Sequence, residues 1–265
     1  MLKLLLFLTR KKSFLLFIFF ELLAFMSIIN SHSYVKLKQH SINTAVSGII
    51  NNKLNIINFY FNLEKTNQSL INQNARLLKG IVNKTNVNSG MFPSQFDVIP
   101  CFVVSNQYHF NNNNIIINTG EKDGIIPEMG VIGTNGIIGI TQKTSSHFTQ
   151  VISVLNTYIK VSVSIKNTNH TGFMHWNGID PNIFDIVDIP INANVNVGDT
   201  LITSGVSNIF PKGIPVGKIT GLQELTDKKS YKILLQPFMD MTDLGVAYVI
   251  KNKYKQEFDS INKAK

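Results

Sequence analysis

GDTLITSGVSNIFPKGIPVG, residues 198–217, alternates turn-forming residues with short apolar runs, a pattern that neither a helix nor a flexible linker uses. Leu201, Ile202 and Thr203 have strand composition, Ser204-Gly205 interrupts the run, Phe210-Pro211 turns the chain, and Ile214-Pro215-Val216-Gly217 restarts an extended segment. Pro215 has no N–H to give to a ladder, so the second segment must begin at a sheet edge or a bulge. The stretch reads as two strands joined by a structured connection.

The same texture fills the C-terminal two thirds of the chain. Strands are predicted at 98–104, 114–118, 130–134, 136–141, 150–155, 160–166, 183–189, 199–203, 214–221 and 231–236, with no helical periodicity between them. Many short strands punctuated by turns indicate a mainly β fold of barrel or sandwich type. Thr134-Asn135-Gly136 adds a hairpin signal, because Asn-Gly offers the two positive φ angles of a type I′ turn.

Upstream the pattern changes twice. Residues 13–29, SFLLFIFFELLAFMSII, are almost uninterruptedly apolar, and Arg10, Lys11 and Lys12 precede them. This predicts one transmembrane helix over 13–33 with residues 1–12 cytoplasmic and the remainder exported, following the excess of basic residues on the cytoplasmic side. A cleavable signal peptide is the alternative, since Ser31 and Ser33 resemble a small-x-small cleavage site. Glu21 interrupts the run. An ionisable group inside a bilayer is costly unless paired or neutral, which makes Glu21 a candidate contact for a membrane partner, against the plainer reading of a tolerated neutral side chain. Over 50–82 the spacing becomes heptadic: Ile56, Leu63, Leu70 and Leu77 recur every seven residues, and Tyr60, Asn67, Asn74 and Ile81 follow each by four. That predicts a parallel two-stranded coiled coil, in which Asn67 and Asn74 select register at some cost in stability. A single amphipathic helix is the alternative. Gly90 and Pro93 end the helix.

Composition bounds the rest. The chain has 265 residues, of which 44% are hydrophobic and 15% charged, enough for an anchor and one or two modest folded domains. One cysteine, Cys101, excludes an intramolecular disulfide and a multi-cysteine metal site. The formal charge of +9 is divided between the cluster flanking the apolar run, a basic tail at 251–265 and scattered positions, with no nucleic-acid motif, so an anionic lipid surface is the acidic partner it suits.

The spacing of GD, TSG, FPxG and PVG within 198–217 resembles the signature of the bacterial rod-shape-determining MreC family, on Gly198, Asp199, Thr203, Ser204, Gly205, Phe210, Pro211, Gly213, Pro215 and Gly217. Gly120, Asp123, Gly124, Pro127, Met129, Gly130 and Val131 resemble an upstream element of that family, here with Glu128 inserted as P-E-M-G. Asn135 to Gly139, with Gly136 and Gly139, resembles its NGLVG hairpin; Val161-Ser162-Val163 and Gly172 with Trp176-Asn177-Gly178 resemble later stretches. With the anchor and helix, the resemblance spans residues 10–250. Asn208 departs from it, standing where many members have a second Gly in TSGxGG.

The resemblance implies a bitopic inner-membrane protein whose exported part carries a coiled coil and two small β-barrels, the first over 95–155 and completed by 225–250, the second over 156–224. It implies a non-catalytic scaffold of the cell-wall elongation machinery, involved in forming and maintaining cell shape. The implied partners are MreD and RodA-type membrane proteins, a penicillin-binding transpeptidase and, indirectly, the MreB filament system, with a homodimer and no nucleic acid. No cofactor, metal or catalytic residue is expected. Two rivals stand beside it. The implied barrels are chymotrypsin-like, and Ser204, His147, His170, His175, Asp185 and Asp188 are raw material for an exported hydrolase, although TSGVS lacks a GDSGG-type oxyanion loop. His170 and His175 lie too isolated from other ligand types to suggest a metal. The other rival is a structural module that binds the wall itself.

Overall fold

In the computed structural model, which describes residues 11–31, 63–84, 95–190, 193–224 and 230–262, the strand-rich region closes into two antiparallel six-stranded barrels. The first is built from β1 (Phe96–Asn106), β2 (Asn112–Ile117), β3 (Gly130–Ile132), β4 (Ile137–Thr144), β5 (Thr149–Asn156) and β12 (Val246–Asn252), ordered β1-β12-β3-β4-β5-β2 around the ring. The second contains β6 (Val161–Ile165), β7 (Thr171–His175), β8 (Phe184–Pro190), β9 (Thr200–Thr203), β10 (Pro215–Glu224) and β11 (Ser230–Pro237), ordered β10-β11-β8-β7-β6-β9. It is an insertion into the first, whose last strand comes from beyond it.

Residue type explains why each ring closes. Ile115, Ile117, Val131, Ile138, Val151 and Val249 are wholly buried in the first, as are Val163, Ile165, Phe184, Ile186, Leu201, Ile233 and Leu235 in the second. Each such side chain contributes about 1.5–3 kcal/mol by leaving water, and β-branched residues suit the pleat. Closure also removes the unpaired edges that an open sheet would expose.

Several expectations are altered by the fold. The second barrel continues past 224: β11 pairs with both β10 and β8, so only β12 returns to the first barrel. β12 pairs with β1 from Phe96↔Asn252 to Phe102↔Val246, which places residues 251–252 of the basic tail in a strand. β7 and β12 fall outside the expected strands; Gly172 interrupts the short β7 run, and β12 finds its partner only across the inserted barrel. Pro215 opens β10, and the register shifts between Pro215 and Gly217 against β9, as a residue without an N–H requires. The 133–136 hairpin forms without the type I′ turn: neither Asn135 nor Gly136 has positive φ, and Gly133 N–H donates to Gly136 O at 2.7 Å.

Three helices accompany the barrels among the described residues. The first, α1 (Lys12–Ser31), belongs to a separate unit; its side chains from Phe14 to Met26 are largely exposed, Glu21 with them. Among the described residues no helix is both long and apolar enough to cross a membrane. The second, α2, is described over 63–84, and Ile56 and Tyr60 of the expected seam lie outside the described residues. Leu63, Leu70, Leu77 and Ile81 are 36%, 50%, 66% and 62% exposed, and Asn67 and Asn74 are exposed too. A different stripe, Ile71, Ala75 and Val82 with the half-buried Leu78, packs into the core cluster. Asn83 pins the end of α2 to β1, accepting from Phe96 N–H and donating to Phe96 O, both at 2.9 Å. The third helix, α3 (Lys255–Asn262), follows β12; Lys255 Nζ lies 2.6 Å from Glu128 Oε2 and 3.0 Å from Glu128 O.

Candidate functional site

Phe210 is the residue around which the two barrels meet. It is 2% exposed, and a Cβ on Gly130 of β3 would lie 2.6 Å from its ring, so the absence of a side chain at Gly130 makes the seat for Phe210. Five residues on, the same connection meets the β3–β4 hairpin: a Cβ on Gly136 would lie 3.2 Å from Pro215 O and 3.5 Å from Met239 Cβ. Gly136 is therefore explained by close approach rather than by φ. Asn252 Nδ2 donates to Asn208 O at 3.2 Å, and Phe238 N–H donates to Val216 O at 3.0 Å.

Buried hydroxyls and glycines hold the connection in shape. Thr203 is fully buried; its Oγ1 donates to Pro211 O at 2.5 Å and accepts from Ile214 N–H at 3.0 Å. Gly213 N–H returns to Thr203 O at 3.0 Å, which closes the loop on itself. Gly205 has φ 81°, a left-handed conformation costly for other residues, and a Cβ there would sit 2.9 Å from Lys212 Cβ. Asn208 also has positive φ, 55°, so the loop keeps a left-handed turn despite lacking the second glycine; Asn tolerates that region better than most residues. On β10, a side chain at Gly217 would run into Gln236 O of β11. Gly198 and Asp199 shape the entry, where Asp199 Oδ2 accepts from Asn196 N–H at 3.0 Å.

The upstream motif has the same character. Asp123 Oδ2 accepts from Gly120 N–H at 2.9 Å across the short 3₁₀ turn Glu121–Asp123, which Gly124 ends. Gly120 passes against Ser145 O, and Gly139 against Ile152 O. These residues shape main chain; they present no reactive group.

Where α2, the β3–β4 hairpin and the β9–β10 connection converge there is a cleft of about 460 Å³. Leu78, Ile81 and Val82 form one wall, 132–136 a second, and 212–215 with Phe238 a third. Four stretches distant in sequence thus line one mainly apolar recess. Sequence reading singled out Gly136, Gly213 and Pro215 but missed Leu78, Val82 and Phe238. The i, i+4, i+7, i+11 spacing of Ile71, Ala75, Leu78 and Val82 was the available signal, overshadowed by the stricter leucine heptad beside it.

The hydrolase constellation does not assemble. Ser204 Oγ donates to Ser162 Oγ at 2.7 Å and accepts from Val206 N–H at 3.3 Å, the backbone and hydroxyl partners of a turn serine. His147 Nε2 is 3.0 Å from Lys122 Nζ. His175 on β7 is the cross-strand neighbour of Asp185 on β8, but Asp185 is buried against Lys232, 3.0 Å away. Asp188 and His170 stand apart from both. Among the described residues no three His, Cys, Asp or Glu side chains group as metal ligands. Cys101 is 2% exposed, and burial pushes its thiol up to about 12.

Comparison with known proteins places these features. Residues 103–251 match the family described as rod shape-determining protein MreC, barrel core. The cell shape-determining protein MreC of Listeria monocytogenes is 28% identical over 161 residues, 59% of this chain and 54% of the relative; that of Escherichia coli is 21% identical over 123 residues, 46% of this chain and 33% of the relative. The chain thus spans about half the length, or less, of these curated relatives. Among solved structures, MreC of Listeria monocytogenes superposes with a TM-score of 0.58 at 21% identity, over 72% of this chain and 94% of that one. MreC of Pseudomonas aeruginosa gives 0.53 at 18%, over 58% and 98%. At these identities the structures establish the shared fold.

Proposed function

Because the chain belongs to the family of rod shape-determining MreC proteins, structural proteins and not enzymes, we propose that it is a membrane-anchored scaffold of cell-wall elongation that maintains cell shape. The observation that carries this reading is the convergence of Gly130, Gly136, Phe210, Gly213 and Pro215, part of the family-motif set, on one barrel–barrel junction and its cleft. Gly130 receives Phe210, Gly136 receives Pro215, and the one ionisable side chain among the described residues lining the recess, Lys212, donates from Nζ to Asn169 Oδ1 at 3.0 Å. A surface built this way holds a partner; it does not transform one.

In this reading residues 13–33 span the inner membrane, with 1–12 cytoplasmic and the barrels outside. Support comes from the apolar run behind Arg10–Lys12 and the exposed apolar side chains of α1. Glu21 meets a membrane partner of MreD or RodA type, since an unpaired carboxyl in lipid is costly. The exposed Leu63, Leu70 and Leu77 stripe pairs with a second copy through a stalk over 50–82, with Asn67 and Asn74 in register. The cleft at the junction takes a penicillin-binding transpeptidase, and the assembly is linked indirectly to MreB filaments.

The test is genetic and biochemical together. Phe238→Asp, which places a charge on the cleft rim, should abolish transpeptidase co-purification and round the cells while the protein still reaches the membrane. Normal rods with that variant, or rounding with Ser204→Ala in a stably folded chain, would overturn the scaffold reading, the latter in favour of a hydrolase.

A further inference from the structure

Ile81 belongs to two features at once. It is 62% exposed in line with Leu70 and Leu77 on the outer stripe of α2, and it also lines the cleft at the barrel junction. At about 100° of turn per residue, that stripe and the buried stripe of Ile71, Leu78 and Val82 lie roughly a quarter-turn apart around the helix, with Ile81 on the border between them. The cleft therefore opens directly beside the outer stripe.

Gly80, next to it, is exposed and lies inside the helix, where glycine weakens the structure relative to alanine. Its φ is not left-handed, and a Cβ there would meet nothing within 4 Å, so among the described residues neither backbone conformation nor a contact within the chain accounts for it. In a parallel two-stranded pair with Leu70 and Leu77 at d, Gly80 takes a g position, and the g residues of one helix flank the e side of the other. Leu78, which lines the cleft, is at e. Gly80 of a second copy thus falls on the cleft side of the pair, level with Ile81.

We propose that the cleft is a composite site completed by a second copy of this chain: the second copy's α2 forms its outer wall through Leu77 and Ile81, and the missing side chain at Gly80 of that copy lets the 133–136 hairpin of the first approach. The inference rests on the reading that the outer stripe pairs with a second copy, and adds that the recess which takes a transpeptidase is incomplete in a single chain. With helix axes about 8–10 Å apart, the second helix stands over Ile81 at the mouth of the cleft. The rim suits a helix of the same kind, since it is mainly apolar, with the exposed Thr134 and Asn135 placed to meet polar flanking residues such as Gln73. The two-fold symmetry of the pair gives two such sites.

In the full chain in detergent micelles, Asn74→Cys at the seam should form a disulfide with its own counterpart, which reports the helix pair alone. Chains carrying Gly80→Cys, mixed with chains carrying Asn135→Cys, should be joined by bismaleimidoethane into a mixed dimer, Cys101 being buried and silent. Gly80→Leu favours the helix by propensity, yet it should weaken the dimer about tenfold in sedimentation equilibrium without lowering the melting temperature of the dilute chain. A seam disulfide without the crosslink between positions 80 and 135, or a Gly80→Leu chain that dimerises as tightly as the parent, would overturn the composite site and leave the dimer standing. Absence of the seam disulfide and the crosslink alike would overturn both.

Discussion

Gly205 and Gly217 exclude a side chain for different physical reasons, and the difference is measurable. Gly205 sits at φ 81°, where an ordinary residue costs about 1–3 kcal/mol. Gly217 lies against the main chain of β11, so any Cβ must push two strands apart, at about 1–3 kcal/mol or more. Both Val variants should lose stability by that order in denaturant titrations. Gly205→Asn should recover part of the loss, as Asn tolerates the left-handed region, whereas Gly217→Asn should not. Ser204→Ala removes a hydroxyl pair with Ser162 and should cost only about 1 kcal/mol. Cys101 supplies a pH test. Burial raises its thiol from 9.0 to about 12, so the native chain should resist maleimide at pH 8 and label rapidly once unfolded. The sign follows: the folded value exceeds the unfolded one, so the neutral thiol's contribution is whole below pH 9 and declines as pH rises toward 12. The spacing of these glycines was legible in sequence. Their separate reasons were not, since φ and close approach leave the same letter.

Helix α2 presents two apolar stripes, and they do different work. Ile71 and Val82 are 8% and 5% exposed against the barrel, so Ile71→Ala should destabilise the fold by about 2–5 kcal/mol. Leu70 and Leu77 are half or more exposed, so Leu70→Glu with Leu77→Glu should leave the melting of the monomeric fold nearly unchanged while abolishing self-association in sedimentation. A chain that is already monomeric at high concentration before mutation would remove the dimer from the proposal. Polar contacts trim this docking rather than drive it. Burial raises the Asp97 carboxyl, but the hydrogen bond and charge of Lys79, with those of Lys253, outweigh it and hold the group below its usual 3.8. Its stabilisation is therefore present above that value and lost as pH falls through the lower folded one. Being partly exposed, the pair is worth less than about 1 kcal/mol, which Asp97→Asn should confirm at pH 7.

At the scale of the whole molecule, the junction is what makes two barrels one unit. Phe210→Ala should cost about 3–5 kcal/mol by emptying the seat at Gly130, and should expose the β9–β10 connection to limited proteolysis before either barrel unfolds. Protease added to spheroplasts should remove everything after Tyr34 and spare the N-terminus; release of the intact chain by alkaline carbonate would contradict the anchor. What the sequence determined by itself is the material that local pattern can encode. Alternating apolar runs with Gly and Pro punctuation specify strands and the structured connection at 198–217, and the seven-residue repeat specifies a helix. Motif spacing specifies the family and its two barrels. Only the tertiary structure decided which β12 residues close the first barrel across the inserted one, that β11 belongs to the second, which face of α2 is buried, and that Gly136 yields space to Pro215 instead of turning a type I′ hairpin. The physical reason is common to all four. Each is a contact between residues far apart in the chain, chosen by which apolar surfaces fit when the rings close; the buried stripe of α2 has a periodicity of its own, but nothing local ranks it above the leucine repeat beside it.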